Sequence, residues 1–140
     1  MRRTAFTLLE ITLVLAVTAL VLALAAPRLS ALRDRAAVRG AVDEIGASFS
    51  AARAAAIAQR TSVAVVFDTA RGVIQVRFAG RSLMHRALGA TYGITLACNR
   101  DSAVYDARGL GYGVTNLTLV VRRGGMVDTL TMSRLGRVRW

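Results

Sequence analysis

The sequence predicts an α+β protein: a long N-terminal helix, its first half apolar enough to cross a membrane, packed on a small antiparallel β-sheet head. Three observations predict it. Residues 6–26 form a run of 21 residues with one charge; a three-and-four spacing of apolar residues continues from Val38 to Ala56; and beyond Arg60 the pattern changes to short Val- and Phe-rich stretches separated by turn residues. The expected organisation is a leader over 1–5, a membrane or filament-core helix over 6–27, an amphipathic continuation over 28–60 and a β-rich head over 61–140.

The apolar run comes first. At about 1.5 Å per residue a helix over 6–26 reaches about 30 Å, the thickness of a bilayer's hydrocarbon layer. A secretory signal peptide has a shorter apolar region without an acid and a small-residue cleavage site after it, so Glu10 fits that reading badly. Placing its carboxylate among Leu8, Leu9, Ile11 and Leu13 costs about 3 kcal/mol in a lipid-facing helix. No side chain from Phe6 to Ala26 offers a positive partner. An amine released by cutting the chain before Phe6 would supply one, either in the same subunit or in a neighbour.

The segment Ala5-Phe6-Thr7-Leu8-Leu9-Glu10, followed by the apolar run, resembles the type IV prepilin signal. The resemblance implies that a prepilin peptidase cuts between Ala5 and Phe6 on the cytoplasmic side, that the new amine of Phe6 is methylated, and that Glu10 steers docking of the subunit into a filament. The family has Gly before the cut where this chain has Ala5. It also implies a single-pass inner-membrane protein with its head in the periplasm. The charge rule does not decide the orientation, because Arg2 and Arg3 precede the run while Arg28, Arg33, Arg35 and Arg39 follow it.

Pro27 frees the Ala23 carbonyl and should bend the helix without ending it. Val38, Val42, Ile45, Phe49, Ala52 and Ala56 then mark one apolar face, and one helix from Phe6 to about Arg60 would be about 80 Å long. A short, Ala-rich heptad favours docking on the chain's own head over a coiled-coil partner. Strands are expected over 62–68 and 73–79, hairpin-linked through Thr69-Ala70-Arg71-Gly72, and over 93–98, 116–122 and 126–132, the last two joined at Arg123-Gly124-Gly125.

This second half is similar to the GspH/FimT branch of the pseudopilins. The resemblance rests on Ala52-Arg53-Ala54-Ala55-Ala56-Ile57, on Tyr105-Asp106-Ala107-Arg108-Gly109 and on Ser133-Arg134-Leu135-Gly136-Arg137-Val138-Arg139. It implies a pilin-like fold, with two sheets packed on the helix, and a place among the minor subunits that initiate or tip a pseudopilus. Nothing resembles the calcium-binding C-terminal loop of the major subunit.

Composition and motifs narrow the chemistry. All 19 basic residues are Arg, against 8 acids, for a net charge of +11. Chemistry that needs a lysine, such as a phosphate-binding P-loop or a Schiff base, is therefore excluded. Cys98, alone in the chain, cannot form an internal disulfide and reads as a free structural thiol. His85 and Cys98 have no metal-ligand spacing, so no metal or cofactor is expected. Ser133, His85 and Asp101 or Asp106 lack a nucleophile-elbow setting, and no enzymatic activity is expected. Gly109-Leu110-Gly111-Tyr112-Gly113 precedes a strand pattern and not a helix, so it reads as a flexible loop.

The C-terminal arginines carry two readings. Arg122, Arg123, Arg134, Arg137 and Arg139, with Trp140, would make a basic strip for phosphate contacts. Without residues 1–5 the balance is 17 Arg against 8 acids, or +9. Gly136-Arg137-Val138-Arg139 is similar to the Gly-Arg-x-Arg element through which some FimT-like members serve DNA uptake, which implies Arg134, Arg137 and Arg139 as DNA contacts. The other reading makes these arginines the solvated face of an edge strand, where charge deters aggregation. Two functions follow: a minor pseudopilin of a type II secretion system, partnered by other pseudopilins, prepilin peptidase and inner-membrane lipid, or a FimT-like minor type IV pilin that also binds DNA.

Overall fold

The structure is a computed structural model and describes residues 7–112 and 116–139. Helix α1 (Leu8–Gln59) is followed by β1 (Val63–Asp68), β2 (Val73–Phe78), β3 (Arg81–Ala87), the short α2 (Leu88–Tyr92), β4 (Thr95–Cys98), β5 (Ser102–Tyr105), β6 (Gly111–Tyr112), β7 (Leu117–Arg123), β8 (Met126–Met132) and β9 (Val138–Arg139). The chain divides into two units, Met1–Arg33 and Asp34–Trp140.

In the first unit α1 begins after Thr7, whose Oγ1 accepts the Glu10 amide at 3.2 Å. That is an N-cap bond, worth about 1 kcal/mol. The helix runs through Pro27 without ending, and every described residue up to Arg33 is exposed. Its apolar stretch has a mean hydropathy of 2.6 and is long enough to cross a membrane.

In the second unit the six residues of the predicted apolar face are all buried, together with Ala41. Phe49 lies at the centre of this face, its ring 5.9 Å from Phe67 and edge-on to Tyr105 at 6.5 Å. Ala52 and Ala56 have no exposed surface, so their small side chains let the helix lie close against the sheets. The helix ends in a Schellman motif, with Thr61 N–H donating to the Ala56 carbonyl and Arg60 N–H to that of Ile57. Arg60 takes the left-handed conformation (φ 50°) that glycine usually supplies.

Among the described residues the head contains two sheets and every strand pair is antiparallel, in the orders β3-β2-β1-β5-β6 and β4-β7-β8-β9. Alternation explains β1 and β7: Val63, Val65 and Phe67 point inward from one, Leu117, Leu119 and Val121 from the other. This is the α+β architecture that the sequence predicts, with five predicted strands within two residues of their observed ends.

Two expectations are corrected. The segment 109–113 is not a flexible loop where it is described. Asp106 Oδ1 accepts the amides of Arg108 and Leu110, the Asp106 amide donates to the Leu110 carbonyl, and Gly111–Tyr112 pairs with β5. Gly109 and Gly111 serve close approach. A Cβ on Gly109 (φ 74°) would meet Ile57 and Arg53, and one on Gly111 would come 3.0 Å from the Arg134 carbonyl. Gly113 and residues 114–115, which lead into the predicted strand over 116–122, lie outside the described residues.

The basic strip is also not continuous. Arg122 and Arg123 sit at the far end of the β7–β8 hairpin, whereas Leu117 and Met132 share the end near β9. Arg123 is moreover engaged, its Nε donating to Asp34 Oδ1 at 2.9 Å and its Nη1 to the Tyr92 carbonyl.

Candidate functional site

Two regions hold the residues singled out above. At the N-terminus, Ala5 and Phe6 lie outside the described residues. Glu10 stands exposed in the first turn of α1, three residues after its cap. Thr7-x-x-Glu10 is the spacing of a capping box, and an acid in the first turn also favours the positive end of the helix dipole. Thr7 is thus a residue that the analysis of Glu10 alone overlooks, although its signal was present in the sequence. The pair fixes where the helix begins, at Leu8, two residues beyond the expected Phe6.

The second region gathers around the end of α1. The loop 106–110 packs on Ile57 and Arg53 through Gly109, and the turn 133–137 packs on that loop through Gly136, where a Cβ (φ 74°) would lie 3.1 Å from the Gly109 carbonyl. Ser133 N–H donates to the Arg137 carbonyl and Gly136 N–H to that of Ser133, which closes the turn. Tyr105 joins it from below, its hydroxyl donating to the Gly136 carbonyl at 3.2 Å. Burial pushes the Tyr105 phenol up to about 12, and Arg53 acts in the opposite sense.

Arg134 and Arg137 project from this turn and Arg139 from β9, all three exposed. Strand β9 is the edge of its sheet, so the arrangement suits the edge-protecting reading. It also forms a groove. Thr118, Thr131 and Arg139 lie side by side across β7, β8 and β9. With Asn116, Met132, Ser133, Leu135 and Arg137 they line an open groove of about 560 Å³. Hydroxyls beside two guanidinium groups can hold phosphate or carboxylate oxygens.

The residues considered for metal or hydrolytic chemistry are placed apart. His85 is exposed on the edge strand β3 of one sheet, while Ser133 follows β8 of the other. Asp106 is occupied with the amides of its own loop. Among the described residues no three His, Cys, Asp or Glu side chains gather in a cluster able to hold a metal. Burial pushes the Cys98 thiol up, which lowers its reactivity.

No family model matches this sequence, and no curated protein does. The fold is found among solved structures. The Pseudomonas aeruginosa type IV minor pilin FimU, crystallised in space group P21, superposes with a TM-score of 0.64 at 19% identity, covering 75% of this chain and 88% of FimU. The same minor pilin in space group P65 gives 0.60 at 18% identity, covering 72% and 90%. The chain therefore has the pilin fold.

Proposed function

We propose that this chain is a minor subunit of an inner-membrane-anchored filament, and specifically a minor pseudopilin of a type II secretion system. It is matured by cleavage between Ala5 and Phe6 and methylation of Phe6, and it has no enzymatic activity. The observation that carries this reading is that one helix does two jobs. Its first unit leaves an apolar surface bare to solvent, while its later turns form the spine of a folded head. A soluble enzyme has no use for such a surface, whereas lipid before assembly and neighbouring helices after it would cover it. The likeness to a minor pilin supports the filament, and the prepilin-like signal supports the processing. With the head in the periplasm, Cys98 meets an oxidising compartment without a partner in its own chain. Intact mass of the protein from cells with active prepilin peptidase is expected to begin at Phe6. A chain retaining Met1 there would defeat the reading.

One observation favours a second reading, a minor type IV pilin that binds DNA. The groove that holds Arg137 and Arg139 also carries, beside Met132 and Leu135, the hydroxyls of Thr118, Thr131 and Ser133 and the amide of Asn116, groups that contact phosphate and sugar without reading bases. Detergent-solubilised full-length protein would then bind duplex DNA with an affinity that falls steeply with salt. The Arg137→Ala, Arg139→Ala double variant would lose most of it. Salt-independent or unchanged binding in that variant would remove this reading and leave the first.

A further inference from the structure

The region around the end of α1 is more than an edge of a sheet. Where the loop 106–110 and the turn 133–137 meet the helix, large apolar side chains face solvent: Ile57 is 49% exposed, Leu110 36% and Leu135 65%. Arg53, Arg108, Arg134 and Arg137 belong to the same three segments, all exposed, and none has an ion pair among the described residues. The one acid nearby, Asp106, is held by the amides of its own loop. The ion pairs of the head lie elsewhere: Arg71 with Asp68, Arg86 with Glu44, and Arg123 with Asp34. Asp68, for example, is at the opposite end of β1 from Val63, the residue paired with Tyr105.

We propose that this pole is the docking surface for a second, different filament subunit, whose facing surface carries carboxylates around an apolar centre. The proposal rests on the filament reading above. Its chemistry is that of an interface core with a charged rim: the apolar residues supply burial, and the unpaired guanidinium groups supply orientation and choice of partner. The apolar part selects protein over nucleic acid, because a phosphate backbone offers nothing to cover Ile57, Leu110 and Leu135. The charge selects a different subunit over a second copy of this chain, because two copies would set arginine against arginine at several kcal/mol of cost. The pole is also prepared for binding. Gly109, Gly136 and the Tyr105 hydroxyl hold its three segments together, so little conformational entropy remains to be lost on docking.

The test is photo-crosslinking of the full chain in cells that assemble the filament. A benzophenone side chain is placed at Leu135 in the pole, at Leu15 in the apolar helix, or at Val127, which is 56% exposed near the far end of the second sheet. The Leu135 probe is expected to trap another chain with a prepilin-type N-terminus and an acidic head, in an adduct that survives nuclease. Its yield should drop about tenfold or more in an Arg108→Glu, Arg134→Glu background while Leu15 adducts persist, and changing the trapped carboxylates to Arg should restore it. The Val127 probe should not trap that partner. Leu15 adducts without Leu135 adducts would overturn the docking pole and leave the filament reading standing. Leu135 adducts only to nucleic acid, lost on nuclease treatment, would overturn it in favour of DNA. Absence of adducts from both Leu135 and Leu15 would bring down both readings together.

Discussion

Tyr105 joins stability to pH. Its hydroxyl is the link between β5 and the 133–137 turn, and burial keeps it protonated well beyond the ordinary tyrosine range. Between about pH 10 and 12 the unfolded chain has released a proton that the folded head retains. The stabilisation is therefore complete below pH 10 and is lost as pH rises through about 12. Tyr105→Phe should cost about 1 kcal/mol at neutral pH, by leaving the Gly136 carbonyl without its partner, and should remove this alkaline loss. Denaturant titration of the solubilised full chain, followed by circular dichroism at pH 7 and pH 11, checks both parts. Gly109→Ala belongs to the same scale. It combines a left-handed φ with a collision against Ile57, and should destabilise by about 1 kcal/mol or more.

Among the elements, α1 carries most of the packing. Phe49→Ala empties the space between the helix, Phe67 and Tyr105, and should cost about 3–5 kcal/mol. Ala52→Leu should cost about 1–3 kcal/mol for the opposite reason, since the helix lies too close to the sheets for a larger side chain. Chemical denaturation measures each, and similar stability of Ala52→Leu and the unmodified chain would show the packing to be looser than described. The helix and the five strands were legible because burial on one side leaves a period in the residue types. What was not legible lacked such a period. Strand β3, Arg-Ser-Leu-Met-His-Arg-Ala, is exposed along most of its length as an edge, so no alternation marks it. Strands β6 and β9 are two residues each, below the length at which any pattern exists. Gly109 and Gly111 read as loop glycines in the sequence, and only their three-dimensional neighbours show that they serve tight contact.

At the scale of the whole molecule, the division of charge and apolarity follows the division of the chain. The first unit presents an apolar helix with Glu10 near its start, and the second a folded head whose described ion pairs, Arg71–Asp68, Arg86–Glu44 and Arg123–Asp34, lie away from the arginines around the end of α1. Of the candidate site, the N-terminal signal and the arginines of 134–139 could be read directly, since each is a local run of sequence. Arg53 and Arg108 could not. They join that group only through contacts between segments far apart in the chain, and Arg123 leaves it because folding brings Asp34 to its side. Filament assembly of the full chain with Glu10→Ala is the most direct measurement, by the fraction of subunit recovered in sheared filaments relative to the unmodified chain. Recovery should fall about tenfold or more, while the head's circular dichroism is unchanged, because the new amine of Phe6 loses its carboxylate partner inside an apolar bundle. Equal recovery of the Glu10→Ala chain would contradict the placement of this protein in such a filament.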